Sequence, residues 1–363
     1  MSKILLTGGA GYIGSHIAVE LIKNNYEVVI IDNLSNSTPE TIDRIEKISG
    51  KRPEFYKIDL CDLDELKKFF AKQNNINGVV HLAGFKAAGE SVKKPLDYYR
   101  NNLLTLENLL ICVLDKKIKN LIFSSSASVY GEPEKLPVDE TTPIKQPTNP
   151  YGNTKKIGEE ILRDVASANN KFNCIALRYF NAAGAHDSGL IGELPKGAPE
   201  NLIPFITQTG AGVRDELKVF GDDYKTPDGT CIRDYIHVVD LAKAHIKALE
   251  RLAAGKNKNN FEVFNIGTGQ GASVMEAIKA FEKASGKKLK YKIAGRRPGD
   301  PDTVFTATDL AKKELGWQAE KSLNEILASA WKWEKNLRGI KSFKNFFKKS
   351  FFPQGDNKYF QKI

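Results

Sequence analysis

The sequence predicts an α/β protein, a doubly wound parallel sheet with helices on both faces and a smaller mixed lobe towards the C-terminal end. Three observations predict it. Over the first 180 residues, short β-branched runs alternate with amphipathic stretches of helical period. The rhythm stops at "NAAGAHDSGLIGELPKGAPE" (181–200), which is rich in Gly and Pro. One further core-like strand, "FEVFNIG" (261–267), then returns behind a helical stretch at 239–252.

Taken in order, "KILLT" (3–7) reads as a strand and 12–24 as the helix behind it. "EVVIID" (27–32), a helix at 39–48, "EFYKID" (54–59), a helix at 63–73 and "GVVHLA" (78–83) continue the alternation. Helix 95–115, strand "NLIFSSS" (120–126), helix 151–169 and strand "NCIALRYF" (173–180) complete it. Beyond the break, "LKVFG" (217–221) and "CIRDYIHV" (231–238) read as strands, and 308–316 and 322–336 as helices. The expected organisation is residues 1–180 with 239–270 as one unit, 181–238 with 271–336 as the second lobe, and a basic, aromatic tail at 337–363.

The 363 residues carry a formal charge of +10. Much of the excess sits in "RGIKSFKNFFKKSFFPQGDNKYFQKI", with seven Lys or Arg against one Asp. A nucleic-acid partner is therefore conceivable from charge alone, but a docking or fraying arm is the commoner use of such a terminus. No apolar run approaches the ~20 residues of a membrane helix. "MSKILLTGG" enters a strand without a leader pattern, so a cytoplasmic protein is expected. Cys61, Cys112, Cys174 and Cys231 are far apart and read as reduced thiols. The five histidines form no ligand spacing, so no metal is expected.

"TGGAGYIGSH" (7–16) lies between the first strand and the first helix. Gly8, Gly11 and Gly14 let the backbone turn tightly and approach a pyrophosphate, which the helix N-terminus attracts. Asp32 ends the second strand, 18 residues after Gly14, where a carboxylate accepts both ribose hydroxyls and repels a 2′-phosphate. This favours NAD over NADP and a Rossmann-type sheet. Asp59 ends the third strand, and Ala83, Gly84 and Lys86 follow the fourth, at the edge where ligands bind.

"NPYGNTKK" (149–156) sets Tyr151 and Lys155 four apart on one helix face. A phenol titrates near pH 10, so use as a base near neutrality requires lowering by ~3 units, roughly 4 kcal/mol. One ammonium about 4 Å away supplies that much at an effective dielectric near 20. Ser126, 25 residues before Tyr151 in "SSSASVYG", can relay the proton.

With these motifs in hand, the chain resembles the extended short-chain dehydrogenase/reductase family, and within it the nucleotide-sugar epimerases. "DNLSNS", "HLAGFKAAGESVKKPLDYYRNN", "LRYFNAAGAHDSG", "GDDYKTPDGTCIRDYIHVVDLA" and "RRPGDP" extend the resemblance to about residue 336. It implies a cofactor shell of Gly8, Gly11, Tyr12, Ile13, Gly14, Asp32, Asn33, Asp59, Leu60, Ala83, Lys86, Asn101 and Tyr179 around NAD, with Ser126, Tyr151 and Lys155 as the catalytic set. It also implies a UDP-hexose site drawn from Asn181, Asn201, Phe220, Arg233, Arg297, Asp300 and Val304, with Lys86, Ser126 and Tyr151 reaching the sugar. Two arginines suit a diphosphate, which they grip by charge-assisted forks. The implied reaction is reversible C4 epimerisation of UDP-glucose and UDP-galactose through a UDP-4-keto-hexose, by a homodimer.

In the sister 4,6-dehydratases an Asp-Glu pair beside the catalytic Ser/Thr expels water. Here those positions hold Ala127 and Ser128, which disfavours elimination. A uronate epimerase, a decarboxylase or a silent NAD-sensing protein of the same fold remain alternatives. Val304 is smaller than the aromatic residue that would shut out a 2-acetamido group, so UDP-GlcNAc and UDP-GalNAc form a possible second pair.

Overall fold

A computed structural model describes residues 2–297 and 301–340. The N-terminal half is a strand–helix alternation: β1 (Lys3–Thr7), α1 (Tyr12–Lys23), β2 (Glu27–Ile31), α2 (Glu40–Ser49), β3 (Glu54–Tyr56), α3 (Leu63–Lys72), β4 (Ile76–His81), α4 (Ala88–Lys93), α5 (Pro95–Asp115) and β5 (Asn120–Ser126). A 3₁₀ turn (Ala127–Tyr130), α6 (Pro150–Ala168), β6 (Asn173–Tyr179) and β7 (Asn181–Ala183) follow. Next come α7 (Leu202–Gly210), β8 (Leu217–Phe220), β9 (Ile232–Arg233), β10 (Tyr235–His237), α8 (Val238–Ala253) and β11 (Phe261–Ile266). The remainder is β12 (Ala272–Ser273), α9 (Val274–Ser285), β13 (Tyr291–Ala294), β14 (Thr303–Val304) and α10 (Leu323–Leu337).

Seven strands form one parallel sheet in the order β11-β6-β5-β4-β1-β2-β3. Its inner strands are buried on both faces, and their apolar residues divide between two cores. Ile4, Leu6, Val28 and Ile30 pack with α1, α2 and α8, whereas Leu5, Val29, Leu121 and Phe123 pack with α3, α5 and α6. The chain runs from β1 outward to β3, then returns to β4 on the other side of β1. This switch opens a crevice at the carboxyl ends of β1 and β4, where Thr7 is level with His81.

The C-terminal lobe has its own core of α7, α9 and α10, including Ile203, Ile206, Ile326 and an edge-to-face pair of Phe281 and Trp331 with centroids 5.4 Å apart. The sequence reading passed over α7 and α9. Helix α9 opens with a complete capping box, Ser273 and Glu276, worth about 1 kcal/mol at such an N-cap. The helix expected at 308–316 is mainly one π-helical turn, Ala311–Leu315, closed by Gly316 at φ +62°. The strand expected at 231–238 is two, β9 pairing with β12 and β14 and β10 with β7; Asp234 lies between them, its amide donating to the Val304 carbonyl at 3.1 Å and its carbonyl accepting from the Asn181 amide at 3.0 Å. Its carboxylate is fully buried and accepts from the Thr268 and Gly269 amides at 2.9 and 3.1 Å. Edge strand β3 stops at Tyr56, three residues short of the expected Asp59. Among the described residues, no helix is long and apolar enough to cross a membrane.

Candidate active site

The loop from β1 to α1 is shaped by close backbone approach. Gly8 has φ +71°, and a Cβ there would stand 2.8 Å from the Ala83 amide nitrogen. A Cβ on Gly14 would stand 2.3 Å from the Gly8 carbonyl, so only glycine lets α1 settle on the loop. At Gly11 a Cβ would meet only the Gly8 carbonyl, at 3.2 Å. No side chain caps α1, and its first turn holds no acid. The first amides of the helix, at Tyr12 and Ile13, thus face a cradle that a dinucleotide pyrophosphate fits.

Strand β2 stops at Ile31, one residue short of the expected end, and Asp32 follows it directly with 7% exposure. It braces the loop by accepting from the Ala10 amide at 3.0 Å, and accepts from Ser37 at 2.8 Å. Asn33 donates to Asp59 at 3.2 Å, which joins the turns after β2 and β3. Asp59 is exposed and Leu60 buried beside it. Asn101, on α5, hydrogen-bonds Asn102, which holds the Phe85 amide at 2.7 Å in the loop after β4. The loops after β1, β2, β3 and β4 thus assemble one crevice from the residues expected to meet the cofactor.

Across the crevice, Ser126 ends β5 level with Tyr179 at the end of β6. Pro150 and the Asn149 cap, which accepts from the Gly152 amide at 2.9 Å, start α6 so that Tyr151 stands in its first turn. Burial raises the Tyr151 phenol above its usual value, and the Ser126 hydroxyl nearby lowers it. The Lys155 ammonium has a partner that the helical spacing did not indicate. It donates to the Ser124 carbonyl at 2.7 Å and lies 6.0 Å from the Tyr151 ring centroid and 4.9 Å from that of Phe123. Burial brings its pKa down to about 8. Ser124, which the sequence reading did not single out, also hydrogen-bonds the Tyr179 hydroxyl. Burial raises that phenol too, with Tyr151 adding to the effect.

Beneath this cluster Glu159, one helical turn beyond Lys155, is buried with Arg178. The guanidinium donates at 2.9 and 2.5 Å, and Ser125 donates to the same carboxylate at 2.5 Å. The pair fixes α6 against β5 and β6. Ala127 and Ser128 open the 3₁₀ turn after Ser126, and the Ser128 amide donates to Ser126 Oγ at 3.1 Å.

The described residues expected at the UDP-sugar lie on several elements of the second lobe, apart from Lys86, Ser126 and Tyr151 in the first. Arg297 lies with Cζ 4.1 Å from the Phe220 ring centroid. Arg233 and Val304 are register partners on β9 and β14, and Arg233 donates to the Ile232 carbonyl at 2.7 Å. Val304 packs on the cluster of Val129, Tyr130, Val138 and Phe180. Asn181 is exposed two residues beyond Tyr179. Asn201 and Lys86 both donate to one oxygen of Glu193, each at 2.8 Å. Glu193 also escaped the sequence reading. Asp300 lies outside the described residues.

Residues 4–267 match the NAD dependent epimerase/dehydratase family. The UDP-glucose 4-epimerase of Bacillus subtilis (strain 168) is 51% identical over 342 residues, 93% of this chain and 99% of that protein. The crystal structure of UDP-glucose 4-epimerase from Bifidobacterium longum in complex with NAD+ and UDP matches with a TM-score of 0.89 at 47% identity, covering 93% of this chain and 100% of that one. The Stenotrophomonas maltophila enzyme, with bound NAD and formylated UDP-arabinopyranose, matches with a TM-score of 0.90 at 43% identity, over 94% and 100% of the two chains.

Proposed function

The chain belongs to the NAD dependent epimerase/dehydratase family, and from that premise we infer that it is a UDP-glucose 4-epimerase, an isomerase that inverts C4 of UDP-hexoses with resident NAD. The observation that carries the reading is the meeting of Ser126, Tyr151 and Lys155 at the carboxyl edge beside an uncapped glycine-loop helix. Gly8, Gly11, Gly14 and Asp32 hold the dinucleotide. When bound there, NAD would supply the hydride acceptor and donor that inversion at C4 needs. Tyr151 takes the proton of the 4-hydroxyl, directly or through Ser126, and later gives it back. Lys155 supplies positive charge that favours the phenolate. Residues 1–180 with 239–270 carry the cofactor. Residues 181–238 and 271–336 grip UDP through Asn201, Phe220, Arg233, Arg297 and Asp300, while Asn181 and Val304 border the hexose. A firm hold on the diphosphate with a loose one on the ring lets the keto sugar turn over. The test is to add UDP-galactose to the purified protein with no cofactor. UDP-glucose must appear, and its absence from protein shown to contain NAD would refute the reading.

Val304 favours a second substrate pair. It is an aliphatic residue packed on Val129 and Phe180 and their cluster, and it leaves more room than an aromatic ring for a 2-acetamido group. UDP-GlcNAc is therefore also turned over, and no conversion at concentrations saturating for UDP-glucose would refute this. We further read the protein as a cytoplasmic homodimer joined through α5 and α6, where Leu96 and Ile111 are 80% and 42% exposed. Light scattering at micromolar concentration tests the dimer, and cell fractionation tests the compartment.

A further inference from the structure

This inference rests on the reading above, in which one dinucleotide serves both halves of the reaction. An epimerase has no net redox change, so a cofactor that escapes midway strands an oxidised sugar. Something must hold it in place. The segment 184–200 is fastened to three of the loops that build the crevice. Tyr12, in the glycine loop, donates to the Gly184 carbonyl at 2.7 Å. Lys196 donates to the carbonyls of Leu34 and Ser35 at 3.2 and 2.6 Å, just past Asp32. Glu193 accepts from Lys86 at 2.8 Å, in the loop after β4. Its far side is anchored on α10, where Trp333 donates to the Glu193 carbonyl and Asn336 to the Gly189 carbonyl, each at 3.0 Å.

Glu193 is the centre of this arrangement. Its side chain is only 10% exposed, and one carboxylate oxygen accepts from both Lys86 and Asn201. It thereby ties the edge of the sheet to the start of α7. We propose that Glu193 is a positioning residue that holds Lys86 over the cofactor crevice, and that residues 184–200 form a strap that retards release of the dinucleotide. Glu193 does not act on the reacting atoms. It lengthens the residence of the cofactor by keeping the crevice spanned.

The test uses purified holoenzyme passed into cofactor-free buffer, with released NAD followed by an enzymatic cycling assay. Glu193→Gln keeps an oxygen acceptor but removes the carboxylate charge that pairs with Lys86, and should speed release about tenfold. Lys196→Met should speed it less, and Glu193→Asp should restore part of the retention. Turnover of Glu193→Gln should recover when NAD is added in excess. Should Glu193→Gln melt at a lower temperature, Lys196→Met, at an exposed position, carries the test. Release within about twofold of wild type in both variants overturns the proposal. So does a raised KM for UDP-galactose with NAD retention intact, which would make Glu193 part of the sugar site alone. Wild-type protein that retains no dinucleotide overturns the strap and the reading of the site together, and this control tells the two failures apart.

Discussion

Lys155 donates to the Ser124 carbonyl at 2.7 Å, two residues before Ser126 on the same strand. The bond ties the first turns of α6 to the end of β5. It places a cation between the strand end and the tyrosine in a volume that burial makes hostile to charge. Burying the lysine there costs the fold stability.

That cost has a definite pH signature. Burial lowers Lys155 from 10.5 to about 8. Between those values the unfolded chain binds a proton that the folded protein has released, so stability rises with pH across this window. The full contribution is about 3 kcal/mol. In urea unfolding of cofactor-stripped protein, wild type should gain on Lys155→Met by up to that amount between pH 8 and 10.5. A difference that stays flat across the window contradicts the assignment.

Acid should act through buried histidines. Burial lowers His16 and His81 to about 3 and His237 and His245 to about 4, from 6.5. Below 6.5 the unfolded chain takes up protons that these folded imidazoles refuse, so stability is lost as pH falls from 6.5 towards 4. His245→Leu should flatten the curve, removing about 3 kcal/mol of the loss at pH 4. Melting temperatures at stepped pH check this, and an unchanged slope would count against it.

The glycine loop has no room for a methyl group at its third glycine. Gly14→Ala sets a Cβ 2.3 Å from a backbone carbonyl, which neither strand nor helix can yield cheaply. The expected result is a loss of about 1–3 kcal/mol of stability and a fall in NAD content of the purified protein. Calorimetry and the absorbance of extracted cofactor read the two effects. An alanine variant with full cofactor content would show the loop to be slack.

Much of this was legible in the sequence, and the exceptions have physical reasons. Helix 95–115 and strands 3–7 and 120–126 have the expected ends, because their periodicity and flanking turns agree. The strand expected at 231–238 divides because β9 and β10 pair with different strands that lie far off in the sequence. The Tyr151–Lys155 spacing puts both on α6 but does not give the lysine's partner, a backbone carbonyl 31 residues upstream that no side-chain pattern reveals. Glu193 was missed for the same reason, since Lys86 lies 107 residues away. The capping box of α9, Ser273 with Glu276 three residues on, is legible in the sequence.

The claim at the centre is that Tyr151 moves the proton of the 4-hydroxyl. Replacing it with phenylalanine removes one oxygen from a side chain whose ring stays packed. With UDP-galactose and NAD-loaded protein, Tyr151→Phe should lower kcat by about 10²–10⁴-fold while bound NAD remains near the wild-type amount. Epimerisation at an undiminished rate by the same variant would contradict the account.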